Sequence, residues 1–227
     1  MRKLWKYLII LVATVLLWNR GILRSVRILS LLFHKTGHAV TAFFCGCGIQ
    51  SFGVTFSKIS DLTINTKGRF ASFAIASGGY MGNLAFFALI MFLKDIKVRK
   101  YIIGCLSMVY LAITIFNPAF QGATTYSAIF ASVALALYMI QNKAAEEFIL
   151  DVIGISSVTY IIYDTLVSTI LLKINQRFLI ISGWGQKIPP DIITLDNLTF
   201  LPQVLWAIIW LALSTLVLNL VVFRGKK

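Results

Sequence analysis

Residues 70–93 read FASFAIASGGYMGNLAFFALIMFL, an unbroken run without Asp, Glu, Lys or Arg. At 1.5 Å per residue such a helix is about 36 Å long, enough to cross the ~30 Å hydrocarbon core of a bilayer. Three more charge-free stretches, 101–142, 152–163 and 197–223, repeat the pattern. The long one has room for two crossings, and the short one resumes past Asp164 to residue 172. The whole chain agrees with this reading. Of its 227 residues 59% are hydrophobic and 13% charged, with a mean hydropathy of +0.86. A soluble domain carries about a quarter charged residues, so an ordinary soluble fold is excluded. The expected fold is an all-α membrane protein with six to seven transmembrane helices, residues 1–227 forming one polytopic domain.

Lys and Arg number 21 against 8 acids, a formal charge of +13. In a soluble chain that excess would suggest a nucleic-acid partner. Here the bases sit in clusters at the ends of apolar runs: Arg2, Lys3 and Lys6; Arg20, Arg24 and Arg27; Lys94, Lys97, Arg99 and Lys100; Arg224, Lys226 and Lys227. They read as anchors to anionic headgroups, which makes the lipid bilayer the partner and leaves nucleic acid out. The three cysteines, Cys45, Cys47 and Cys105, give no disulfide framework. The basic start and apolar run of the N-terminus lead into Trp18, Asn19 and Arg20 with no small-residue cleavage site, so an uncleaved first helix is expected. A cell (plasma) membrane is the expected location.

Further along, the pattern predicts a first helix over 4–18, a second and more polar helix over 22–45, and a β-hairpin over 46–67. In the hairpin, Gly46, Gly48 and Gly53 punctuate alternating runs at 49–56 and 62–65. The remaining bundle, 70–223, is expected as helices over 70–93, 101–116, 121–141, 147–173 and 201–223. Asn117-Pro118 separates two of them, because proline supplies no N–H. Residues 174–198 are too polar to cross lipid, and they lie either outside the bilayer or folded back within protein.

The only two histidines stand four apart in His34-Lys35-Thr36-Gly37-His38. One helical turn puts both rings on one face, where they can meet a single metal. The bland alternative is a hydrogen-bonded pair between helices, but a polar residue in a membrane helix is functional by default. Asp164, alone in an apolar span, reads equally as a partner inside the bundle or as a protonated carboxyl bonded to a neighbour. Cys45 shares the histidine face but stands about 10 Å further along the helix. With Cys47 it reads as a small buried thiol.

The pattern resembles the HExGH zinc motif of the site-2-protease superfamily of intramembrane metallopeptidases, most closely its small peptidase-B-like branch. His34 to Ala42 matches the motif. Gly46-Cys47-Gly48, the hairpin and Gly79-Tyr80-Met81-Gly82 follow in the branch's order. Asp191, Leu195, Thr199, Leu201, Pro202, Trp206 and Trp210 match its second signature. The resemblance implies a zinc site of His34, His38 and Asp191. Asp196, in Leu195-Asp196-Asn197, resembles the ligand motif of larger relatives and is the rival third ligand. The chain departs from the pattern at Lys35, which stands where the family has its general-base glutamate.

A lysine ammonium has no lone pair and stays protonated up to a pKa of ~10.4. At about 6 Å from a divalent ion and an effective dielectric of ~20 it is repelled by roughly 5 kcal/mol. The implied function is therefore a catalytically degenerate membrane protein that binds or regulates a membrane-protein or peptide client, with Lys35 paired to Asp191 or Asp164. The alternatives are an active zinc endopeptidase using a neutral Lys35 or another group as base, and a transporter resting on the intramembrane charges Lys35 and Asp164.

Overall fold

Apolar runs punctuated by polar breaks give a chain of helices, and the structure, a computed structural model, describes residues 2–52, 62–94, 99–116, 124–140 and 142–224. Helix α1 is Arg2–Leu16 and, after a single 3-10 turn at Gly21–Leu23, α2 is Arg24–Phe44. Strands β1, Gly48–Phe52, and β2, Leu62–Asn65, pair antiparallel with Ile49 opposite Ile64. Helices α3 (Arg69–Leu93), α4 (Arg99–Phe116), α5 (Thr124–Ile140) and α6 (Lys143–Ile162) follow. A π-helical segment, Tyr163–Leu171, continues into α7, Leu172–Phe178, and the chain ends in α8 (Pro190–Leu198) and α9 (Gln203–Arg224). The expected hairpin connection at 53–61 and the Asn117-Pro118 break lie outside the described residues.

The expected six to seven crossings are not reached among the described residues. Among the described residues three helices are long and apolar enough to span: Arg69–Leu93, Lys143–Phe178 and Gln203–Val222. A fourth is added if α1 and α2, bent by 115°, make one span. Helices α4 and α5 contribute shorter apolar stretches among the described residues, Tyr101–Ala112 and Ala128–Leu137. Phe43, Phe44, Phe70, Phe92 and Met108 stay exposed on the helices, as a lipid-facing surface requires.

Helix α3 lies at the centre, touching α2, α6, α8 and α9. Its contact with α2 is the closest kind two helices can make. A Cβ on Gly37 would fall 2.2 Å from the Gly78 carbonyl oxygen, and one on Gly82 would fall 2.6 Å from Gly37 Cα. Small residues four apart let helix backbones meet in this way where lipid offers no hydrophobic drive to associate. On one side of this seam Ile28, Leu29, Phe33, Ile90, Leu150 and Ile153 form a core. On the other, Tyr80, Ile192, Leu195, Trp206 and Trp210 bury α8 and α9.

The long helix starts earlier than expected because the Asn142 side chain caps it, accepting hydrogen bonds from the Ala144 and Ala145 amides. Within this helix Asp151 is buried in the bundle at 1% exposure. Its carboxylate takes Lys94 and, at 2.7 Å, Lys6, while Lys94 also donates to the Tyr7 hydroxyl at 2.5 Å. Two bases expected as headgroup anchors thus tie α1, α6 and the end of α3 together. Breaking a buried pair strands a charge and costs about 3 kcal/mol. Asp151→Ala is expected to lower the melting temperature in detergent, whereas Lys143→Ala, at the exposed start of α6, leaves it unchanged.

Candidate metal centre

Helical spacing brings the His34 and His38 rings to 4.7 Å, edge to face. Their Nε2 atoms are 3.1 Å apart. Pro190 opens α8 and sets Asp191 in its first turn, where Asp191 Oδ2 reaches His34 Nε2 at 2.8 Å and His38 Nε2 at 3.2 Å. Proline suits the first helical position because its missing N–H would go unpaired there anyway. The three donor atoms form the single group of described residues that could hold a metal ion. Donors at ~2.0–2.1 Å from a tetrahedral zinc would be spaced by about 3.3 Å, so the observed spacings need little adjustment.

The surroundings fit the same chemistry. His38 Nδ1 lies 2.6 Å from the Ile75 carbonyl oxygen. That oxygen can only accept, so Nδ1 carries the proton and Nε2 keeps its lone pair for a metal. The His34 ring is held between Tyr80, at 5.0 Å, and Tyr160, at 4.9 Å. Gly79 packs flat against both histidines, and a Cβ there would fall 2.5 Å from His38 Nε2 and 2.6 Å from His34 Nε2. A divalent metal held by this trio would polarise a carbonyl and make water acidic near neutral pH.

A cavity of about 680 Å³ opens beside the trio. Lys35, 3% exposed, lines it together with Arg27, Tyr160, Tyr163 and Asp164. Asp164 hydrogen-bonds Tyr160, which joins it to His34 through an aromatic contact. The rival ligand Asp196 lies elsewhere, accepting a hydrogen bond from Gln203 at 2.7 Å. Cys47 is buried with Ala42, Ala71 and Ile75 and packs rather than ligates.

Reading the sequence missed Tyr160, Tyr163, Asn19 and Gln186 as neighbours of the site. Tyr160 and Asp164, four apart in an apolar span, are the one pair that helical spacing could have flagged. No curated protein and no solved structure matches the chain. A family model described as Peptidase M50B-like matches residues 7–221, in keeping with the site-2-protease resemblance. With histidines paired one turn apart on α2, an aspartate brought to them from the far end of the chain, and that match over nearly its full length, the protein belongs to the Peptidase M50B-like family.

Proposed function

We propose that this metallopeptidase-like integral membrane protein is a hydrolytically degenerate member of its family. In this reading it holds a membrane-protein or peptide client in the cavity beside a zinc site of His34, His38 and Asp191. The observation that carries the reading is the convergence of the three donor atoms within 3.2 Å while Lys35 lines the same cavity. The donor set supports metal binding. The ammonium at the family's general-base position works against both the metal and the proton transfer that hydrolysis needs.

Incubating the purified protein in zinc-supplemented detergent with a transmembrane peptide substrate tests the reading. Binding without cleavage is expected. Cleavage by the wild type that disappears in Asp191→Ala would overturn the degenerate reading. Asp164 favours a second reading, because among the described residues it is the one other carboxylate lining the cavity. It would serve an active enzyme as its base, and cleavage lost in Asp164→Asn but kept in Lys35→Met would establish that role.

A further inference from the structure

The turn between α1 and α2 touches the supports of two of the three metal-site residues. Trp18, 2% exposed, packs its ring 6.4 Å from Tyr160, whose other neighbour is His34. Asn19 Nδ2 donates to the Tyr163 hydroxyl at 2.5 Å, and Gln186 Nε2 donates to the same oxygen at 3.0 Å. Gln186 stands five residues before Asp191, and Pro189-Pro190 fill the end of that gap. Two prolines stiffen a short connection, because each fixes its own φ and restricts the residue before it. Behind Gln186 the segment is braced again, since the Asn175 side chain bonds both the amide and the carbonyl of Ile181.

We infer that Tyr163 is a positioning residue for Asp191, its hydroxyl tethering the segment before α8 to the α1–α2 turn so that the carboxylate is held at the histidines. The inference rests on the metal-site reading for its consequence, but the tether itself is a property of the metal-free chain. A π-helical segment begins at Tyr163. Tyr160, Tyr163, Asp164 and Ser168, at helical spacings of three, four and eight, all line the cavity wall, and Ser168 lies 3.4 Å from the Gln186 side-chain oxygen. π-Helical insertions inside α-helices are frequent at functional sites.

The test uses the full chain in detergent. In Tyr163→Phe the ring and its packing remain and only the hydroxyl is lost. Without metal, amide exchange over residues 186–192 is expected to quicken by about 2- to 10-fold, the worth of one hydrogen bond, while exchange in α3 stays the same. In zinc titrations Tyr163→Phe and Gln186→Leu are each expected to weaken binding about 10- to 100-fold. The double variant is expected to be no worse than either, because both break one link. Gln186→Glu, whose carboxylate accepts from the Tyr163 O–H in place of the lost Nε2 donor, is expected to keep wild-type exchange.

Unchanged exchange over 186–192, or additive losses in the double variant, would overturn the inference. Faster exchange with no zinc bound by any variant, wild type included, would uphold the tether and sink the metal-site reading instead.

Discussion

Replacing Lys35 with glutamate is expected to turn a silent protein into a zinc hydrolase. The substitution removes a cation from beside a divalent ion and supplies an anion with a lone pair in its place. At about 6 Å and a dielectric of ~20, removing the cation alone relieves roughly 5 kcal/mol of repulsion. Even a fraction of that raises zinc affinity at least ~10²-fold. A positioned general base adds ~10²–10⁴ in rate. Lys35→Met separates the two effects, since it removes the charge without adding a base. It is expected to bind zinc more tightly than wild type yet cleave nothing. Inductively coupled plasma metal analysis and peptide-cleavage assays on the three proteins check both parts, and equal cleavage by Met and Glu variants would show that position 35 is not where the proton goes.

The second large effect is expected at Gly79. An added Cβ would meet His34 Cε1 and His38 Nε2, both at 2.5 Å, and His34 Nε2 at 2.6 Å. Both rings are pinned elsewhere, His38 by the Ile75 carbonyl and His34 between two tyrosines, so neither can turn aside without losing its support. Gly79→Ala is therefore expected to abolish zinc binding while the helix content by circular dichroism stays near that of the wild type. Gly104, whose added Cβ would meet nothing within 4 Å, is the matched control, and Gly104→Ala is expected to leave zinc binding intact. Zinc retained at full stoichiometry in Gly79→Ala would mean that the metal lies away from this cradle.

What could be read from the sequence follows the range of the forces involved. The facing histidines depend on 3.6-residue periodicity alone and were visible in five consecutive residues. The apolar runs were visible because hydropathy is local, but it could not register the 115° bend after α1. Asp191 was legible only through the family resemblance. No local pattern says that an acid 157 residues away will sit 2.8 Å from His34. The contacts that shape the site were not legible at all. Gly79 against two imidazoles, Tyr163 between Asn19 and Gln186, and Asp151 between two lysines are each made by segments distant in sequence, and each depends on how α1, α3 and α6 pack. The polar interval at 174–198 was undecided by hydropathy, and its end proves to be a short helix with Ile192 and Leu195 fully buried against α3 and α9.

The central claim is a metal centre built from His34, His38 and Asp191 and opposed by Lys35. Zinc titration of purified wild type beside Lys35→Glu and the double variant Lys35→Glu/Asp191→Ala tests it most directly. The account predicts one zinc per chain in Lys35→Glu, affinity lower by at least ~10²-fold in the wild type, and loss of the tight site in the double variant. No zinc in Lys35→Glu, or tight binding that survives the loss of Asp191, would contradict it.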